Sequence, residues 1–214
     1  MRGVFITGTD TGAGKTVVTG LLARFLSDMG YSVITQKWIE TGSRGFPQDI
    51  AAHLRFMRRR REDIKDCLSL ISPYNFRFAS SPHLAARLER KKISAGKIKR
   101  SFRVLQDKFD FVIVEGIGGA LVPYKRKRLV IDIAKELKLP VLIVVDNRLG
   151  AINHTLLTVE ALKKRGIKII GIVFNNRDKR TDKVIAKDNI RTIKRLTGEK
   201  ILGVLPWIDG LGKI

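Results

Sequence analysis

Cysteine is all but missing from this chain: Cys67 is the only one in 214 residues. That excludes a disulfide framework and a cysteine-built metal centre, and leaves Cys67 as an expected core residue. Long apolar runs are missing too. No stretch approaches the roughly 18 residues that cross a bilayer as a helix, and no leader-like segment precedes the first short apolar run. A soluble cytoplasmic protein is the expectation. Linkers, low-complexity tracts and internal repeats are absent, so residues 1–214 are expected to form a single domain. Acidic residues are scarce: 20 Asp and Glu face 42 Lys and Arg, a formal net charge of +22. Basic clusters stand at Arg58-Arg59-Arg60-Arg61, from Lys97 to Arg100, and at Lys125-Arg126-Lys127-Arg128. Such charge is the footprint of a nucleic-acid binder or a solvated basic surface. No aromatic residues alternate with the clusters to make a stacking platform for bases, which favours the solvated surface. The same charge would steer anionic nucleotides and carboxylates towards the protein.

What is present begins with Gly8-Thr9-Asp10-Thr11-Gly12-Ala13-Gly14-Lys15-Thr16. It follows the apolar run Gly3-Val4-Phe5-Ile6-Thr7 and precedes a helical pattern from Val17 to Met29. A strand, a glycine-rich turn, then Gly-Lys-Thr opening a helix is the setting of a phosphate-binding loop. The backbone N–H groups of such a turn converge on phosphate oxygens, and the helix N-terminus adds partial positive charge. Lys15 would reach the β- and γ-phosphates, and the Thr16 hydroxyl would ligate Mg²⁺. The usual pattern places its first glycine where Thr9 stands, and Gly8 comes one residue early.

Apolar, β-rich runs recur at residues 4–7, 32–36, 111–115, 141–146, 171–175 and 201–205. Most are continuous rather than alternating, which suits strands covered on both faces. Helical patterns lie between them. Leu21, Leu22, Phe25, Leu26 and Met29 form one stripe ended by Gly30; Ile152, Leu156, Val159 and Leu162 form another ended by Gly166; residues 181–196 give a third. The alternation predicts an α/β fold: a doubly wound, mostly parallel sheet with helices on both faces, of the P-loop nucleoside triphosphate hydrolase type. Ligands of such sheets gather at the carboxyl ends of the strands. Lys37, Glu115-Gly116, Asp146, Asn175-Asn176 and Pro206-Trp207 all fall there.

These motifs together resemble dethiobiotin synthetase. The resemblance rests on the glycine-rich loop, Lys37…Thr41-Gly42, Val114-Glu115-Gly116…Gly118-Gly119 and Ser81-Pro82-His83-Leu84-Ala85. It extends through Leu149-Gly150-Ala151-Ile152-Asn153-His154 and Leu202-Gly203-Val204-Leu205-Pro206-Trp207, covering residues 4 to about 208 in the family's order. That family closes the ureido ring of dethiobiotin from 7,8-diaminopelargonate, CO₂ and ATP with Mg²⁺, as a homodimer in biotin synthesis. One amine takes up CO₂ as a carbamate, ATP phosphorylates it to a mixed anhydride, and the second amine displaces phosphate. The carbamate, the nucleotide and the developing phosphoryl charge are all anionic, so catalysis must be mainly cationic stabilisation and positioning.

The resemblance implies roles. Lys15 would act on the phosphates and Lys37 near the carbamate and γ-phosphate. Gly12, Ala13, Gly14, Thr16 and Val17 would hold nucleotide, together with Gly116, Ile117 and Gly118. Thr16, Asp49 and Glu115 would offer Mg²⁺ hard oxygen ligands. Thr11 and Thr41 match positions that contact substrate. Gly150, Ala151, Ile152 and Asn153 would receive the substrate carboxylate across the dimer. Asn175 and Asn176 would read adenine, since an amide can donate and accept on one base edge, with Pro206, Trp207 and Ile208 as the other wall.

Alternatives stand beside several of these. Asp49 equally suits the cap of a helix over residues 50–59, and Asn175 a turn. His53, His83 and His154 lack metal-ligand spacing, the last two reading as hydrogen-bonding scaffold. Trp38 stands where the family has proline after the lysine, Ser72 where asparagine is common, and residues 44–61 are short and basic. The competing class is the partition and positioning ATPases, which act on nucleic acid or membrane. Their loop carries a signature lysine five residues before the catalytic one, and that position is Asp10 here. Cobyrinate-type amidoligases add a glutaminase domain with a nucleophilic cysteine, for which this chain leaves no room.

Overall fold

The computed structural model describes residues 3–179 and 181–207. Its strands are β1 Gly3–Gly8, β2 Val33–Lys37, β3 Ile39–Thr41, β4 Tyr74–Phe76, β5 Phe111–Gly119, β6 Pro123–Lys125, β7 Arg128–Leu129, β8 Val141–Asp146, β9 Ile169–Asn175 and β10 Ile201–Leu205. Its α-helices are α1 Lys15–Asp28, α2 Gln48–Met57, α3 Leu68–Ile71, α4 Pro82–Leu88, α5 Ala95–Lys108, α6 Val130–Glu136, α7 Ala151–Lys163 and α8 Lys183–Thr197.

Six strands make one parallel sheet in the order β10-β9-β8-β1-β5-β2. The sheet is covered on both faces, which is why its strands read as unbroken apolar runs. Along β1, Val4 and Ile6 pack into one core with Val18 and Ala23 of α1, while Phe5 points into the other. Val33 and Ile34 of β2 divide the same way, as the period of two requires. The first core lies under α1 and α2. The second and larger one takes Phe102 and Leu105 of α5, Ile131 of α6, Val159 of α7 and Ile193 of α8.

Strand order reverses at β1, whose neighbours are β5 on one side and β8 on the other. The turn leaving β1 therefore opens over the crevice where such sheets bind ligands. Two sequence boundaries shift. Lys37 does not follow β2 but is its last residue, paired in register with Glu115. Glu115 does not end β5, which runs on to Gly119 because Gly119 pairs with Gly8. Two short ribbons, β3 with β4 and β6 with β7, lie outside the main sheet.

Trp38 turns out to secure the path of Lys37. Its side chain is buried in the larger core beside Phe5, with ring centroids 5.1 Å apart, and its Nε1 donates to Gln36 Oε1 at 2.7 Å. Gln36 and Trp38 share one side of the chain, so Lys37 between them points to the other. Cys67 is half-buried against the same core, as expected of it.

Candidate active site

The loop after β1 is shaped by glycine where the backbone turns left-handed, at Gly12 (φ 78°) and Gly14 (φ 96°). Gly14 precedes α1, and no side chain caps that helix end. Its first N–H groups are thus left to an anion, in a position where the helix dipole favours one. A β-carbon on Gly14 would collide with the Asn175 side chain, so a second reason for glycine is the close approach of β9. Asn175 Nδ2 donates to Ala13 O at 3.1 Å and fastens the loop to the end of that strand.

Register does the rest. The pairing of Lys37 with Glu115 brings Lys37 Nζ to 2.7 Å from Glu115 Oε1 and 2.8 Å from Gly116 O. Its third acceptor is Asp49 Oδ2, at 2.8 Å, in the first turn of α2. Lys37 and Glu115 are 3% and 2% exposed, deep enough that each charge needs the other. Burial alone would lower the Lys37 ammonium, but the Glu115 and Asp49 carboxylates outweigh it and raise the group above its ordinary value. Burial likewise would raise Glu115; Lys37 and His53 overcome it and hold the carboxyl at about 2. Lys15 is different. Burial and the nearby Lys37 charge bring it down to about 8, and its Nζ donates to Asp10 O at 3.1 Å.

Asp49 is not the cap of its helix. Glu40 takes that place, accepting from Gln48 N at 2.6 Å and more weakly from Asp49 N, and so leaves the Asp49 carboxylate free for Lys37 and Thr16. Burial, then the nearby Asp49 charge, raises the Glu40 carboxyl.

Thr16 Oγ1 lies 3.2 Å from Asp49 Oδ1 and 3.1 Å from Glu115 Oε1. One hydroxyl proton cannot serve two carboxylate oxygens fully, and the single Lys37 charge answers only one of the two carboxylates, so three hard oxygens converge with one negative charge left over. This donor set fits Mg²⁺. Among the described residues no group of three or more His, Cys, Asp or Glu could hold a metal ion, so a cation here would draw on the hydroxyl as well as the two carboxylates.

One cavity of about 440 Å³ gathers Thr11, Gly12, Gly14, Lys15, Thr16, Val17, Lys37, Thr41, Asp49, Glu115, Ile117 and Gly118. A second, of about 200 Å³, is lined by Asn175, Asn176, Pro206 and Trp207 and shares Gly14 and Val17 with the first. A phosphate chain and a base would need just such adjoining spaces. Ala13 lies buried behind the loop, and Gly116 offers its carbonyl to Lys37. Ile208 lies outside the described residues. Gly150, Ala151, Ile152 and Asn153 line neither cavity; they begin α7, where Gly150 (φ 89°) leaves the helix without a side-chain cap and Asn153 is exposed.

Sequence reasoning missed four residues. Glu40 lines the first cavity, and Arg177 lines both. His53, fully buried, sets Nε2 2.6 Å from Glu115 Oε2. Asn147 donates to Asn176 Oδ1 at 2.8 Å and accepts from Asn189, bracing the base side from below. Only His53 left a sequence signal, its spacing of one helical turn from Asp49.

A parallel sheet with an uncapped glycine loop at its switch point, a lysine in that loop and a Thr–Asp–Glu oxygen cluster beside it define a P-loop nucleotide-dependent enzyme. Solved structures agree on the fold. The MinD cell division protein of Aquifex aeolicus matches with a TM-score of 0.60 at 18% identity, covering 100% of this chain and 85% of that one. A ParA family ATPase from Chlorobium tepidum matches at 0.58 and 14% identity, covering 97% and 85%. Sequence identifies the family more narrowly. A family model described as an AAA domain matches residues 2–214. The ATP-dependent dethiobiotin synthetase BioD of Thermodesulfovibrio yellowstonii is 37% identical over 99% of this chain and 91% of its own length. That of Chlorobaculum tepidum is 42% identical over 95% of this chain and 84% of its own. The chain belongs to the ATP-dependent dethiobiotin synthetase family.

Proposed function

We propose that this protein joins 7,8-diaminopelargonate and CO₂ into the ureido ring of dethiobiotin at the expense of ATP, as a cytoplasmic homodimer of single P-loop domains. The observation that carries this reading is Lys37: a buried cation held by two carboxylates, on β2, with only β5 between it and the strand that leads into the phosphate-binding loop. A simple nucleotide switch has no use for a second buried lysine there. A carbamate beside the γ-phosphate does, because three anions must be brought together.

Lys15 and the free N–H groups of α1 hold the triphosphate. Lys37 exchanges one of its carboxylate partners for the carbamate oxygen and steadies it as it attacks the γ-phosphorus, the bond to the β-phosphate oxygen breaking and ADP leaving. The resulting mixed anhydride loses phosphate when the second amine adds at its carbonyl carbon. Thr11 and Thr41, both in the lining of the first cavity, offer hydroxyls to the amine or carbamate. A divalent cation held by Thr16, Asp49 and Glu115 would neutralise charge on the β- and γ-phosphates. Asn175, Asn176, Pro206 and Trp207 take the base.

The dimer is supported by what lies beside the site. A groove lined by Asp10, Leu121, His154 and Leu157 runs along α7, and Leu121, Leu149 and Leu157 are exposed. A second copy covering this apolar strip would bring its own uncapped α7 start, with Asn153, towards the substrate carboxylate.

Incubation with diaminopelargonate, bicarbonate, ATP and Mg²⁺ should yield dethiobiotin, detected by mass spectrometry. Absence of product, with hydrolysis stimulated by DNA instead, would move the assignment to the partition ATPases whose fold it shares.

A further inference from the structure

Glu115 receives two groups on one oxygen and one on the other. Lys37 and Thr16 meet Oε1, at 2.7 and 3.1 Å, and His53 meets Oε2 at 2.6 Å. His53 stands one turn after Asp49 on α2, so a single helix face supplies one carboxylate of the oxygen cluster, Asp49, and holds the other, Glu115. An ionised carboxylate only accepts, so Nε2 carries the proton of this bond, while Nδ1 has no partner among the described residues. The imidazole is therefore anchored at one end only, by Glu115.

We infer that His53 is a positioning residue: by holding Glu115 Oε2 it turns Oε1 towards Thr16 and sets the geometry in which the cluster takes its divalent cation. Without it, Oε2 is a buried anionic oxygen lacking a donor, and the cation already on Oε1, Lys37, can turn to it only by releasing Gly116 O or Asp49 Oδ2, since its three protons are all engaged. Glu115 would rotate to share both oxygens with Lys37. That draws Oε1 away from Thr16 and ties the lysine down. Outer partners of metal ligands commonly matter by about 10–100-fold in metal affinity. This inference rests on the reading of Thr16, Asp49 and Glu115 as the cation site.

Mn²⁺ serves as the probe, its free fraction read by electron paramagnetic resonance in the presence of saturating ADP. His53→Leu should weaken Mn²⁺ binding about tenfold or more, while ADP affinity measured with EDTA stays within about threefold of the parent, a metal-free contrast that general damage to α2 would not leave intact. His53→Gln, whose Nε2 can reach where the imidazole Nε2 stood, should return most of the Mn²⁺ affinity; His53→Asn, one bond shorter, should not. Should His53→Leu fail to fold, the Gln and Asn pair still decides: equal Mn²⁺ binding by both overturns the inference. Parent-like Mn²⁺ binding by a folded His53→Leu overturns it as well. A parent protein that takes up no Mn²⁺ with nucleotide overturns the cation-site reading, and the role of His53 with it.

Discussion

The two halves of the nucleotide crevice are built from opposite materials. At the phosphate end, Lys15, Lys37, Glu40, Asp49, Glu115 and His53 are charged or ionisable and mostly buried, and Lys37, Asp49, Glu115 and His53 are bound to one another across β2, α2 and β5. At the base end, Asn175, Asn176, Leu205, Pro206 and Trp207 are neutral, the charged Arg177 being shared with the first cavity, and Trp207 is half-exposed. A buried charge network cannot lose a member without stranding another, whereas an apolar wall loses only contact area. The contrast predicts that damage at the first end appears in the rate of chemistry, and damage at the second in the concentration of ATP required.

Lys37→Ala tests the sharpest form of that contrast. Dethiobiotin formation should fall by about 10³-fold or more at saturating substrates, the scale for loss of a preorganised charge, with ADP affinity changed by only a few-fold. The variant should also melt several degrees lower at neutral pH, because Glu115 and Asp49 keep their charges and lose their partner. Turnover at the parental rate would remove Lys37 from the chemistry.

Proton coupling gives an effect of middle size. With Lys15 at about 8 in the free protein, pH 9 leaves most of it neutral, while bound phosphates favour the ammonium. Affinity for ADP without metal should therefore drop about tenfold between pH 7 and 9, with proton uptake on binding that calorimetry in buffers of different ionisation heat would record. A flat profile would break the assignment. The stability sign is the reverse: Lys15 sits below its ordinary 10.5 when folded, so the unfolded chain holds more protons between pH 8 and 10.5, and this group's contribution improves across that window.

The smallest effect belongs to the base end. Trp207→Ala should raise the KM for ATP by about threefold to tenfold, a loss of about 1 kcal/mol of contact, and leave kcat close to the parent. A fall in kcat instead would show that the two ends are not separable in the way their composition suggests.

How much of this was readable in the sequence differs by residue. The glycine-rich loop is a local string, and its strand-then-helix setting is legible because both periodicities flank it. Lys37 and Glu115 were legible as strand-end residues, but their contact depends on a register that no local pattern states. His53 and Glu115 are 62 positions apart, and Glu40 caps a helix that starts eight residues later. Arg177 reaches the crevice from the far end of β9. Such approaches are set by packing, not by spacing. A plainer signal went unused: Ile98, Phe102 and Leu105 form the buried stripe of α5, and their intervals are those of a helix. Asp49 remained open between cap and ligand until Glu40 was seen to occupy the cap.

Asn175 has a further consequence through its seat against Gly14. The same amide that faces the base pocket bolts the phosphate loop in place by its bond to Ala13. Exchanging it to welcome another nucleobase would unbolt the loop at the same stroke. Descendants of this chain that drift towards a different triphosphate must therefore change course at Pro206, on the facing wall of the second cavity. Nucleotide choice is steerable from one bank of the crevice and locked from the other.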